Sequence, residues 1–339
     1  MVQRSSTVPV LQSSSGGMAG PRRVVLISNF RSGHNRDRYN RVQQLVSRSS
    51  NIEHFATSSP DEVPGILAGL ADNPPEFLAI NGGDGTAAHI FGLLLEQQPL
   101  PRLPTIVLLP GGTANMTAGD VGCRGSLVPA VKRLCRWSDG ENLGSRWLQR
   151  HVMRLQPSPG AAPRFGMFLG SGVIIQATEY AHSQIHSRGL RDDFSLGLGL
   201  VRTLWGIARG DPQFNLPLAL DIAVDGGAFQ HVDVRIVAAS TLDRLFLGAR
   251  PFWGVGAGAL KASFITSDAR HFVRRFPGLL WGRPGNHANV ATGYHSVKAE
   301  RIQLLMDGSV NLDGEMIPLR RSDGPAELTA AGPLTFCRL

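Results

Sequence analysis

The chain has 339 residues, and its 34 Lys and Arg against 26 Asp and Glu give a formal net charge of +8. At roughly 150 residues per domain this length predicts two domains, and a hydrophobic content of 42% excludes a disordered chain. No apolar run approaches the roughly 20 residues that span a bilayer. Three cysteines cannot build a disulfide framework. These features favour a globular protein of the cytoplasm.

Residues 1–20 are rich in Ser and Gly and lack the apolar core of a secretory signal, so they are predicted to be a disordered leader. From residue 22 to 140, short apolar strands alternate with amphipathic helices. Strands are predicted at 23–29, 52–56, 77–80 and 105–109, and helices at 40–48, 61–70, 87–95 and 126–136. This alternation predicts an α/β domain with a parallel, doubly wound sheet.

After about Ser138 the sequence becomes rich in strand-like segments separated by Gly-rich turns. The predicted strands are 147–155, 165–175, 218–224, 232–238, 259–266, 296–305 and 309–312, with one helical insert near 194–207. The pattern predicts a second domain over residues 141–320 that resembles a β-sandwich. The tail, residues 321–339, is expected to pack back on the first domain.

Two Gly-rich segments follow predicted strands, at 81–86 and 110–115. The first could be a hairpin turn, since Asn-Gly and Asp-Gly favour hairpins, but the residues after Thr86 have helical character. A Gly-rich turn between a strand and a helix presents free backbone N–H groups to a phosphate. Two such turns on adjacent parallel strands open at the same edge of the sheet, where ligands bind in this architecture. Asp84 would face a phosphate only across a cation such as Mg²⁺, or would bind a hydroxyl.

The order Gly82-Gly83-Asp84-Gly85-Thr86 followed by Pro110-Gly111-Gly112-Thr113-Ala114-Asn115 resembles the diacylglycerol kinase catalytic-domain family, which includes bacterial lipid kinases and, more distantly, sphingosine kinases. Asn29-Phe30-Arg31-Ser32-Gly33 is similar to the first-strand Asn-Pro-x-Ser-Gly turn of that family, with Phe30 in place of the proline. Leu312-Asp313-Gly314-Glu315 resembles its Asp-Gly-Glu signature. The resemblance covers about residues 22 to 320.

The resemblance implies that ATP binds in a cleft between the two domains and that its γ-phosphate passes to a lipid hydroxyl, with diacylglycerol as the expected acceptor. It implies Glu315 as the general base, Asp313 as its neighbour, and Asp84 as the residue that orients the catalytic Mg²⁺ or the hydroxyl. The residues implied to bind the nucleotide are Asn29, Ser32, Gly33, Thr57, Gly82, Gly83, Asp84, Gly85, Thr86, Gly111, Gly112, Thr113 and Asn115.

The sequence departs from the family in two places. Asn115 is followed by Met116 where the family has an acidic residue, and the segment 257–260 lacks the carboxylate that would hold an accessory metal. No accessory metal is therefore expected. Two alternatives stay open: an NAD kinase, which shares the GGDGT turn but not the Asp-Gly-Glu tail, and a catalytically silent protein that binds lipid or nucleotide.

Other parts of the sequence bear on contacts with membranes, nucleic acids and other protein chains. Arg270, Arg274 and Arg275 precede an apolar segment that ends in Trp281, a combination that suits docking on an anionic membrane as well as it suits a solvated loop. No nucleic-acid motif accompanies the positive charge, so no nucleic-acid partner is expected. His182 and His186 are read as surface histidines because the HExxH order is absent. The oligomeric state, including a homo-oligomer, and the identity of the acceptor lipid stay open.

Overall fold

The computed structural model describes residues 20–176 and 217–339, together with Gly206, Arg209 and Asp211. Residues 1–19 of the predicted leader, most of the predicted helical insert, and His182 and His186 lie outside the described residues. Within the described part of the chain, no helix is long and apolar enough to cross a membrane.

The first part of the chain alternates strands and helices as predicted. Its strands are β1 (Val24–Asn29), β2 (Ile52–Thr57), β3 (Phe77–Gly82) and β4 (Thr105–Pro110), and its helices are α1 (Asn35–Val46), α2 (Val63–Gly69), α3 (Asp84–Gly92), α4 (Met116–Val121) and α5 (Leu127–Ser138). The four strands are parallel and lie in the order β4, β3, β1, β2. The short helix α4 was not predicted.

Helices cover both faces of this parallel sheet. In β1, Val24 and Leu26 pack with residues of α1 and α5, whereas Val25 and Ile27 pack with residues of α2 and α3. Successive strand residues point to opposite faces, so a strand covered on both faces must be apolar throughout. This explains the continuous apolar runs in the sequence, and it confirms the predicted doubly wound sheet.

The second part of the chain is mostly antiparallel. Its strands are β5 (Arg146–Gln156), β6 (Arg164–Gly166), β7 (Phe168–Gly172), β8 (Leu218–Val224), β9 (Gln230–Ser240), β10 (Leu260–Thr266), β11 (Tyr294–Ala299), β12 (Arg301–Met306), β13 (Gly308–Leu312), β14 (Glu315–Leu319) and β15 (Ala326–Arg338), and helix α6 (Phe272–Leu280) lies between β10 and β11. All of these strands except β6 contribute to one apolar core. The predicted α/β class with a second, β-rich part is confirmed.

The last strand joins the two parts of the sheet. β15 is antiparallel to β5 and β12, and it pairs in parallel with β4 where Phe336 lies opposite Ile106. A single sheet of 15 strands therefore carries both the parallel and the antiparallel part. Phe336 is fully buried and packs edge-on against Phe91 of α3.

Several predicted boundaries were wrong. The segment predicted as one strand at 296–305 is two strands, because the Asp225 carboxylate accepts the backbone N–H groups of Glu300 and Arg301, each at 2.8 Å, and turns the chain there. The predicted strand 165–175 is also two strands, β6 and β7. The basic and aromatic segment at 270–281 forms helix α6 rather than a loop, despite Pro277 inside it. β14 and β15 were not predicted.

Candidate active site

The two Gly-rich turns meet at the carboxyl edge of the parallel sheet. A Cβ atom placed on Gly112 would lie 2.3 Å from the Cα of Gly83, which is far inside van der Waals contact. The first-strand turn reaches the same point, since a Cβ on Gly33 would lie 2.6 Å from Thr113 Oγ1 and 2.8 Å from the Thr113 backbone nitrogen. Three turns that are distant in the sequence therefore form one cluster, in which glycine is required at the contacts.

Side chains of the first-strand turn hold this cluster together. Asn29 donates a hydrogen bond from Nδ2 to Thr86 Oγ1 at 3.1 Å, and Ser32 donates from Oγ to the carbonyl oxygens of Asn29 and Gly111, both at 3.0 Å. The buried Asn35 donates from Nδ2 to the carbonyl oxygens of Asn29 and Asn81, at 2.9 and 3.1 Å. The turns are thus connected by side-chain hydrogen bonds as well as by contact.

Sequence reasoning missed two parts of this network, Asn35 and Asn81. Asn81 is fully buried, donates from Nδ2 to Ser28 Oγ at 3.2 Å, and leaves its Oδ1 without a hydrogen-bond partner. A Cβ on Gly111 would lie 2.4 Å from that oxygen. Asn81 is the first residue of the Gly-rich segment 81–86, so the sequence could have identified it as a site residue. No signal in the sequence singles out Asn35, which lies in the first turn of an ordinary helix.

Asp84 caps the short helix that the sequence did not reveal. Its two carboxylate oxygens accept the backbone N–H groups of Met116 and Thr117, at 3.0 and 2.8 Å. These N–H groups lie at the start of α4, where intrahelical acceptors are missing. Asp84 therefore connects the first Gly-rich turn to α4, the helix that follows the second Gly-rich turn. Each oxygen retains a lone pair, so the capping role does not exclude a role toward a cation or a hydroxyl.

Asp313 lies in a two-residue hairpin turn between β13 and β14. Asp313 and Gly314 both have positive φ, 47° and 99°, and Leu312 pairs with Glu315. The Asp313 carboxylate accepts the backbone N–H groups of Met167 and Phe168, at 2.7 and 3.0 Å, which joins this hairpin to the start of β7.

The ionisation of Asp313 is affected by Asp84. Burial raises the pKa of Asp313 to about 8, and the nearby charge of Asp84 contributes to the increase, against the opposing effect of two backbone hydrogen bonds. A neighbouring carboxylate disfavours ionisation unless a cation lies near the pair. The hairpin turn that carries Asp313 therefore lies close enough to the first Gly-rich turn for the charge of Asp84 to act on it.

Glu315 has a different environment from the two aspartates. Its side chain is 59% exposed, and the ion-pair partner found for it in the described part of the chain is Arg164, with 3.8 Å between Nη1 and Oε1. Thr57, which was predicted near the nucleotide, is buried at the end of β2 and donates from Oγ1 to the Ser28 carbonyl oxygen at 3.4 Å. Both residues lie at the ends of elements that border the site.

The cluster fits a phosphate better than it fits an isolated metal ion. Glycine at positions 33, 83 and 112 lets the three turns pack closely, and α3 begins at the first Gly-rich turn with no side chain capping its N-terminus, where an anion is favoured. Within the residues that the structure describes, no group of three His, Cys, Asp or Glu side chains is placed to hold a metal. Asp84 and Asp313 are the carboxylates of the site that could hold Mg²⁺ beside a bound phosphate.

Comparison with known proteins agrees with this geometry. Residues 23–139 match the diacylglycerol kinase catalytic domain family. The match covers about a third of the chain. The resemblance predicted from the motifs is confirmed, and the matched segment spans β1 to α5, including all three turns of the cluster. No curated protein matches the sequence.

Solved structures extend the fold similarity over the remainder of the chain. A diacylglycerol kinase from Bacillus anthracis strain Sterne aligns with a TM-score of 0.57 and 15% identity, covering 93% of this chain and 96% of its own. A second structure from the same strain, described as a candidate diacylglycerol kinase, aligns with a TM-score of 0.62 and 16% identity, and the alignment again covers 93% of this chain and 96% of the other. At this level of identity the similarity concerns the fold, which these proteins share over nearly the whole chain.

Proposed function

We propose that this protein is an ATP-dependent lipid kinase that transfers the γ-phosphate of ATP to a lipid hydroxyl, with diacylglycerol as the acceptor and phosphatidic acid as the product. The observation that carries the proposal is the contact between Gly83 and Gly112, next to the coupled carboxylates of Asp84 and Asp313. A phosphate cradle and a pair of acidic groups are the parts that phosphoryl transfer to an alcohol requires.

The backbone of the three turns would position the triphosphate. The N-terminus of α3 at the first Gly-rich turn would complement negative charge, and the hydrogen bonds of Asn29 and Ser32 fix the turns in place. Such preorganisation is the main contribution of a protein to phosphoryl transfer, since the positioned groups need not reorganise during the reaction. Mg²⁺, when bound, would neutralise charge on the phosphate oxygens.

Glu315 is the best candidate for the general base. Asp84 and Asp313 each use both carboxylate oxygens to accept backbone N–H groups. Glu315 is exposed and has only the long ion pair with Arg164 in the described part of the chain, so its oxygens can accept the proton of a lipid hydroxyl. Proton transfer to a positioned carboxylate typically increases the rate by about 10²–10⁴-fold.

Helix α6 would bring the enzyme to the membrane surface. Trp281 follows the last turn of this helix and is 55% exposed, although Phe272 and Phe276 of the same helix are buried. Arg274 of the same helix is also exposed, and an exposed Trp together with an exposed Arg favours the interface of an anionic bilayer. Trp281→Ala should weaken sedimentation with anionic vesicles without changing the melting temperature, and unchanged sedimentation would exclude this docking face.

Incubation with γ-labelled ATP, Mg²⁺ and a panel of acceptors tests the proposal. The panel contains diacylglycerol, a long-chain base, a ceramide, a polyprenol and NAD. Label in phosphatidic acid is the expected result. Label in NADP would identify an NAD kinase, and ATP binding without transfer to any acceptor would identify a silent binding protein. Glu315→Gln serves as the control for background phosphorylation, since its fold should be unchanged.

A further inference from the structure

A cavity of about 640 Å³ opens beside the second Gly-rich turn. It lies between the start of α1, the connection from α4 to α5, the loop at 244–248 and the end of β15. One wall is formed by Thr113 and Asn115, so the cavity borders the candidate active site without containing Asp84, Asp313 or Glu315. Its volume is in the range of ordinary ligand sites.

The lining of this cavity is strongly basic. It includes Arg38, Arg124, Arg244, Arg338 and His34, and no Asp or Glu. Over residues 20–176 and 217–339, none of the four arginines forms an ion pair. Four guanidinium groups that come from four different parts of the chain thus converge without a balancing carboxylate.

Two carboxylates close to this cluster, those of Asp120 and Asp243, already bind other cations. Asp120 binds Arg150 Nε at 2.9 Å, and Asp243 binds Arg150 Nη2 and Lys261 Nζ, both at 2.5 Å. Arg338 donates from Nη1 to the backbone carbonyl oxygen of Asp120, at 3.2 Å, rather than to its carboxylate. The positive charge of the cavity is therefore available to a ligand.

The environment of Arg338 disfavours its positive charge. Burial lowers its pKa, and the charges of Arg124, Arg244 and Arg146 lower it further, with a partial opposing effect from Asp120. Its Nε is buried and has no hydrogen-bond partner. A buried donor without a partner and repulsion among like charges are both unfavourable. A bound phosphate would relieve the repulsion, since guanidinium groups bind phosphate oxygens in charge-assisted hydrogen bonds.

The rim of the cavity is apolar on one side. Leu245, Phe246 and Leu247 belong to its lining, and Leu247 is 66% exposed at the tip of a tight turn with a φ of 53°. An exposed Leu next to a basic pocket is unexpected for a site that takes free phosphate. The combination fits a ligand whose anionic group enters the cavity and whose apolar part remains at the rim.

We propose that this cavity binds the phosphate headgroup of an anionic phospholipid, with the Leu245–Phe246–Leu247 loop against the apolar part of the lipid. The site is separate from the residues assigned to proton transfer, and it does not depend on the proposed kinase activity. Because the cavity shares the wall of Thr113 and Asn115 with the Gly-rich cluster, a lipid bound there would be held beside the candidate active site.

Binding of the full chain to vesicles tests the proposal directly. Sedimentation is measured with phosphatidylcholine vesicles with and without phosphatidylglycerol, in the absence of ATP. Arg124 and Arg244 are exposed, so the double variant R124A/R244A should fold normally, which its melting curve checks. Two lost cations should weaken binding to the anionic vesicles by at least about tenfold. Two further variants serve as controls. Arg48→Ala removes one cation beyond the far end of α1, away from the cavity, and R124K/R244K keeps the charge of the cavity.

The proposal is supported if R124A/R244A loses binding to anionic vesicles while R48A and R124K/R244K largely retain it. Equal loss in R48A would mean that the net charge of the protein, not the cavity, drives the binding, and unchanged binding in R124A/R244A would exclude the site. ATP and inorganic phosphate affinities, measured by calorimetry, separate the possible sources of the anion. If R124A/R244A weakens the binding of ATP or inorganic phosphate but not the binding of vesicles, the cavity binds a soluble phosphate compound and the proposal is wrong.

Discussion

The contact between the two Gly-rich turns gives a quantitative prediction for Gly112→Ala. The new Cβ would lie 2.3 Å from the Cα of Gly83 and 3.1 Å from both Gly83 N and Asn115 Oδ1. Carbon atoms in contact are about 3.5–4.0 Å apart, so the turns would have to separate by more than about 1 Å. Overpacking of this kind costs about 1–3 kcal/mol of unfolding free energy, and a displacement of about 1 Å in a positioned site can reduce turnover by about 10²-fold.

Denaturant unfolding and labelled-ATP turnover measure the two effects. The matched control is Gly65→Ala in α2, where a Cβ has no neighbour within 4 Å; Ala favours a helix by about 0.5–1 kcal/mol over Gly, so this variant should be slightly more stable and fully active. Gly83→Ala should cost less stability than Gly112→Ala, because its Cβ would be 3.3 Å from Gly112 Cα. If Gly112→Ala is as stable and as active as Gly65→Ala, the two turns do not meet as described.

Three further predictions concern the acidic residues. Asp84→Asn should abolish transfer and lower the unfolding free energy by about 1–2 kcal/mol, because an amide oxygen can replace only one of the two carboxylate oxygens that accept N–H groups at the start of α4. The transfer assay and denaturant unfolding measure the two effects. Wild-type values in both would contradict the assignment. Glu315→Gln should abolish transfer at unchanged melting temperature, whereas Arg164→Gln, which removes only the long ion pair, should remain active. The raised pKa of Asp313 means that the folded protein holds a proton there that the unfolded chain releases at lower pH, so its contribution to stability is complete below about pH 4 and is lost as the pH rises through about 8. Unfolding measured against pH should show this decline in the wild type and a flatter curve in Asp313→Asn; parallel curves would refute the shift.

Local sequence patterns predicted the first half of the fold well for a physical reason. A strand buried on both faces must be apolar throughout, and a helix on its surface must be amphipathic, so β1 to β4 and most of their helices leave a strong periodic signal. α4 leaves none, because its six residues are too few for a periodicity and its start is fixed by Asp84, which lies 32 residues away in the sequence. β15 was also missed, since its edges are defined by partners in both parts of the sheet.

The amino-acid sequence by itself determined the kind of fold, the places of the Gly-rich turns and the family that the first part of the chain resembles, because buried strands and Gly-rich turns are each formed by consecutive residues. Only the tertiary structure decided that Gly112 touches Gly83, that the pKa of Asp313 responds to Asp84, and that arginines from positions 38, 124, 244 and 338 line one cavity. Each of these depends on where distant segments cross, and residues that interact across a fold have no required spacing along the chain.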